Sequence, residues 1–99
     1  MVRVPASQTF HKALLQLDRG RFDDAETSLR LAIEQADTDS DQTTWASASC
    51  CLGDLLVQTG RPADGEPILQ QVAALDPDDD ILGFEIRRAT ELLRGLHNN

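Results

Sequence analysis

The sequence has no tyrosine, one tryptophan (Trp45) and three phenylalanines, so aromatics make up 4% of its 99 residues. Strands favour aromatic and β-branched residues, and this scarcity argues against a sheet. Positive charge is also scarce. Nine Lys and Arg face seventeen Asp and Glu, for a formal net charge of −8. Phosphate binding needs a basic face, so the balance argues against nucleic acid and against anionic membrane surfaces. No apolar run approaches the roughly 20 residues that span a bilayer. The opening MVRVPASQTF holds no apolar signal segment, and a soluble cytoplasmic protein is expected. The two cysteines, Cys50 and Cys51, are adjacent. A bridge between helical neighbours would be badly strained, so they make no disulfide framework. Reduced thiols fit a cytosolic setting.

What remains is a chain rich in Ala, Leu, Gln, Glu and Arg, the residues that favour helices. Its 40% hydrophobic content is enough for a fold, and its length suits a single domain over residues 1–99. Apolar residues recur with the helical period in five stripes. These run from Phe10 through Ala13 and Leu14 to Leu17, from Phe22 through Ala25, Leu29 and Ala32 to Ala36, from Trp45 through Ala48 and Leu52 to Leu56, from Ile68 through Leu69 and Val72 to Leu75, and from Leu82 through Ile86, Ala89 and Leu93 to Leu96. Breakers separate them. Gly20 parts the first two, the polar stretch Thr38 to Thr43 reads as a loop, and Gly60 with Pro62 parts the third and fourth. Asp76-Pro77 ends the fourth, and the acids after it supply caps for the fifth. Pro67 is tolerated in the first turn of a helix, which places the start of helix four near Ala63 or Asp64.

Two segments repeat forty residues apart. Gly20-Arg21-Phe22 matches Gly60-Arg61-Pro62, and Ala25, Leu29 and Ala32 match Gly65, Leu69 and Val72. This is one helix–turn–helix unit written twice. The second copy places Leu52-Gly53, Gly60, Gly65, Leu69 and Asp76-Pro77 at one characteristic spacing, and the first places Gly20, Phe22, Ala25, Leu29 and Ala32. In these residues the chain resembles the tetratricopeptide repeat family. The first copy departs from the pattern at Lys12-Ala13 and Asp37, the second at Pro62. The family's period is about 34 residues, and Thr38 to Thr43 accounts for the longer spacing here. The resemblance implies an all-α fold of about five helices, with helix–turn–helix repeats stacked as a short right-handed α-solenoid. Repeat one would cover about 7–37, a loop 38–43, repeat two about 44–77, and a C-terminal capping helix about 79–96. Small residues at Gly53, Ala25 and Gly65 would sit where helices approach closely, with Leu29, Leu52 and Leu69 filling the space between pairs.

Catalytic and metal chemistry finds few candidates. His11 falls on helix one and His97 at the C-terminus, neither with a ligand or triad partner at suitable spacing. Cys50 and Cys51 resemble half a zinc site with no second half, and read as small buried or groove-lining residues. Asp37, Asp39 and Asp41 imitate the start of a calcium loop. Gln42 and Ala48 stand where Gly and Glu are required, and the second acidic run fails likewise at Ile81 and Arg87. Both runs read as solvated turns and caps. The chain is therefore read as non-catalytic, with no cofactor and no metal.

Binding remains. The resemblance implies a concave groove lined by the first helix of each repeat. By position this places Phe10, Leu14 and Leu17 from the first copy there, and Ser47, Cys50, Asp54, Val57 and Gln58 from the second. Helix five, as the start of a third unit, adds Phe84 and Arg88. For Phe10, Leu14 and Leu17 a plain core role stands beside the groove role. The expected function is an adaptor or chaperone-like module that binds a peptide or helix of another protein. The alternative is a structural repeat protein whose groove or end helices form a homodimer.

Overall fold

The structure is a computed structural model that describes residues 4–75 and 83–97. The protein is all-helical: α1 spans Ala6–Asp18, α2 Phe22–Asp39, α3 Gln42–Gln58, α4 Pro62–Ala73 and α5 Gly83–His97. Among the described residues there is no strand. The chain divides into two compact units, Met1–Ala48 and Ser49–Asn99, and the division falls within α3.

In the first unit α1 packs against α2. The buried residues of α1 are Ala6, Thr9 and Ala13, and those of α2 are Ala25, Ser28, Leu29, Ala32 and Ala36. Their spacing places each set on one helical face. Most are alanine, so Leu29 is the only large side chain there that is wholly buried among the described residues. Small residues on both faces let two backbones approach closely, and Ala13 and Ala25 each have no exposed surface. The Ser28 hydroxyl donates to Gln16 Oε1 at 2.7 Å, so these two polar groups of the seam satisfy each other.

The second unit holds the tighter contact. At Gly53 of α3 an added Cβ would lie 2.5 Å from Leu69 Cδ2 and 2.6 Å from Leu69 Cγ. At Gly65 of α4 it would lie 2.9 Å from the Gly53 carbonyl oxygen. Only glycine lets these helices meet at this distance. Leu52, Leu56, Leu69 and Val72 complete the core of this unit, each at most 1% exposed. Helix α5 packs on α4 and buries Ala89.

The forty-residue period survives as geometry. At the end of α1 the Arg21 amide donates to the Gln16 carbonyl (2.9 Å), and the Gly20 amide to that of Leu17 (3.0 Å). At the end of α3 the Arg61 amide donates to Leu56 (2.7 Å) and the Gly60 amide to Val57 (3.3 Å). Gly20 and Gly60 have φ of +72° and +83°. These are two copies of one Schellman turn. Each is followed by the same ion pair across the first helical turn, Arg21 with Asp24 at 2.6 Å and Arg61 with Asp64 at 3.1 Å. Burial repeats too. Ala6, Thr9, Ala13, Ala25, Leu29 and Ala32 are buried, as are Ala46, Ser49, Gly53, Gly65, Leu69 and Val72. Lys12 breaks the match: it is exposed, while Leu52 is buried.

Two boundaries differ from expectation. The stretch Thr38 to Thr43 is not a loop. Helix α2 continues to Asp39 and α3 begins at Gln42, leaving Ser40 and Asp41 between them. Ser40 adopts φ +56°, and the Asp41 amide donates to Ala36 at 2.8 Å, so this is a third Schellman turn with serine in glycine's place. The Asp41 carboxylate then accepts from the Thr44 amide at 3.1 Å and caps α3. Polar composition does not distinguish a loop from a helix junction here, because Thr, Asp and Ser serve equally as helix caps. The second difference is at α4. It begins at Pro62 rather than at Ala63 or Asp64, because a proline's fixed φ suits the first helical position. Pro67 lies inside the helix, where it withholds a hydrogen bond from the Ala63 carbonyl. Both residues are on the exposed side, where that carbonyl is open to solvent. The acidic run at 76–80, the Asp76-Pro77 stop, Ile81 and Leu82 lie outside the described residues.

Candidate functional site

Within the second unit the structure brings four of the expected groove residues together where α5 meets α3. The Asp54 carboxylate accepts from Gln58 Nε2 at 2.8 Å, one turn along α3, and from the Arg88 guanidinium at 3.3 Å, across to α5. Cys50 Sγ lies 3.8 Å from the Glu85 carbonyl oxygen, also on α5. Asp54 and Arg88 were expected to stand open for recognition. They engage each other instead, because an acid on one helix and a guanidinium on the next gain more from pairing than from separate solvation. Both are partly exposed, at 27% and 40%, so the pair contributes roughly 0–1 kcal/mol and mainly sets the register of α5 on α3. The i,i+4 partnership of Gln58 with Asp54 is legible in the sequence. The Arg88 partner is not, since it depends on how α5 packs.

The thiols are packing groups. Cys50 is 6% exposed, and its pKa is pushed from 9.0 to about 11, chiefly by burial and then by the Asp54 charge. Cys51, partly buried, is raised to about 11 by the same two causes. The thiolate is the nucleophile, so both groups are weakly nucleophilic at neutral pH. Iodoacetamide at pH 8 should modify native Cys50 and Cys51 roughly a hundredfold more slowly than an unstructured cysteine, and full reactivity should return in denaturant. Native rates equal to those of a free thiol would contradict this environment. The sign for stability follows from the same shift. The folded state holds these protons more tightly than the unfolded chain, so their contribution is intact below pH 9.0 and is lost as pH rises towards about 11.

The other expected residues are placed separately. Val57 is half-buried and borders α4, its Cγ2 only 3.4 Å from where a Cβ on Gly65 would stand. Ser47 is half-buried in the part of α3 that belongs to the first unit. On α1, Phe10 and Leu17 are half-buried and Leu14 is 38% exposed, so the buried face centres on Ala13 and Leu14 is no core residue. Phe84, at the start of α5, is 73% exposed, the most open large apolar side chain among the described residues. His97 proves to have a partner. It lies in the last turn of α5 and meets Glu66 Oε1 of α4 at 3.0 Å.

No protein-family model, curated protein or solved structure gives a significant match to this chain. Among the described residues, no group of three or more His, Cys, Asp or Glu is arranged to hold a metal ion. No helix among them is long and apolar enough to cross a membrane. At the α3–α5 contact the Asp54 carboxylate and the Cys50 thiol are thus both engaged by α5.

Proposed function

We propose that this chain is a non-catalytic interaction module of the tetratricopeptide repeat type. Its repeats would stack as a short right-handed α-solenoid and bind a peptide or helix of another protein through their first helices. The observation that carries this reading is the repeated turn. The same two hydrogen bonds, the same left-handed glycine and the same Arg–Asp ion pair recur forty residues apart. Repeats of this kind bury one face and leave another for a partner. The attachment of α5 to both α3 and α4 is what the first helix of a further unit would do. Exposed apolar side chains on first helices, Leu14 and Leu15 of α1 and Phe84 of α5, supply contacts of the kind that partner peptides use.

The test joins light scattering to affinity capture. The purified chain should run as a 10.9 kDa monomer. A partner captured from the source cell should be lost with Leu14→Asp or Phe84→Asp, both at exposed positions and both expected to melt like the parent. A stable dimer would favour the self-associating alternative. A partner retained equally by both variants would remove these helices from the binding surface.

A further inference from the structure

The turn between α2 and α3 carries a second feature, wholly within the first unit. A cavity of about 300 Å³ is lined by Ala36, Asp37, Ser40, Gln42 and Trp45. That volume is at the lower end for small-molecule sites and suits a single side chain. Three independent features of its wall favour a cation. Trp45, the only tryptophan in the sequence, is half-buried and contributes an indole, the aromatic ring that binds cations best. Asp37 is exposed, and its carboxylate has no ion pair or hydrogen bond among the described residues. The cavity also adjoins the C-terminus of α2, where the helix dipole is negative. The last turn of that helix contains no basic residue, although Asp37 stands there. A carboxylate at a helix C-terminus opposes its dipole, and a bound cation would relieve that conflict.

We propose that this cavity receives the guanidinium side chain of an arginine on a basic partner. The planar guanidinium would lie on the Trp45 indole and direct its N–H groups to the Asp37 carboxylate. Arginine suits the site better than lysine because it stacks on aromatic faces and meets a carboxylate with two parallel hydrogen bonds. The net charge of −8 would steer such a partner towards the chain. The inference needs only α2, α3 and their turn. It stands or falls apart from the repeat-module proposal.

Trp45 is itself the probe, since its emission reports on this cavity alone. Titrating the full chain with a blocked Gly-Arg-Gly tripeptide should give a saturable change, half complete at a concentration on the order of 1–10 mM. The lysine tripeptide should bind roughly three- to fivefold more weakly, and the neutral citrulline tripeptide should give no saturable change. Asp37→Asn should weaken the arginine probe by a similar factor. It should melt no lower than the parent, because it removes a charge from the wrong end of a helix. In the parent, amide NMR shifts should be confined to residues 36–45. No saturation with arginine, an equal response to citrulline or lysine, unchanged affinity in Asp37→Asn, or shifts spread over every acidic residue would each overturn the proposal.

Discussion

Leu52→Asp should abolish cooperative folding of the second unit at 25 °C. Leu52 is 1% exposed, so the substitution removes a buried aliphatic side chain and places a carboxylate without a partner in its stead. Loss of a buried leucine costs about 2–5 kcal/mol by itself. An unpaired buried charge adds several more, or forces protonation at a similar cost. A single domain has only about 5–15 kcal/mol to lose. Lys12 supplies the control. It holds the equivalent position in the first copy and is exposed, so Lys12→Asp should shift stability by no more than about 0.5 kcal/mol. Circular dichroism on heating checks both. A Leu52→Asp protein that melts within a few degrees of the parent would contradict the burial described here.

Replacing glycine with alanine should have opposite effects at two helical positions. Alanine is the better helix former by about 1 kcal/mol, and Gly95, in α5, has nothing within 4 Å of an added Cβ. Gly95→Ala should therefore stabilise by up to about 1 kcal/mol. Gly53→Ala gains the same propensity but drives a methyl to 2.5 Å from Leu69, a side chain with no exposed surface and so no room to retreat. Overpacking of this kind costs about 1–3 kcal/mol. The helices must separate or Leu69 must leave its rotamer, and a net loss of about 2 kcal/mol is expected. Urea denaturation of the two variants gives the comparison directly. Equal signs would mean that α3 and α4 do not meet at Gly53.

How far the fold was legible depends on the range of the signal. Period and breakers placed all five helices, because a helix is a local structure whose buried face returns every three or four residues. Gly20 and Gly60 marked breaks between helices, and both adopt the positive φ that glycine reaches without strain. Ser40 gives no such signal because it adopts the same conformation against its preference, a cost of roughly 1–2 kcal/mol that the hydrogen bonds of the turn and the Asp41 cap offset. Pro67 is compatible with a start at Ala63 or Asp64, and the start one residue earlier rests on Pro62 opening the helix, which local geometry equally permits. In the core, the size of Gly53 and Gly65 marks them as points of close approach. Asp54 and Arg88 were recognised as polar residues on first helices, but not as each other's partner.

The amino-acid sequence by itself determined the helical class, the forty-residue repeat and the small residues that let helix pairs close. All of these are written in local spacing and side-chain size. Tertiary structure decided which polar groups are spent on packing. Asp54, Arg88, Cys50 and His97 are engaged by residues up to 35 positions away, whereas Asp37 and Phe84 remain open. A side chain's availability depends on what lies across the helix interface, and a one-dimensional pattern carries no record of that neighbour.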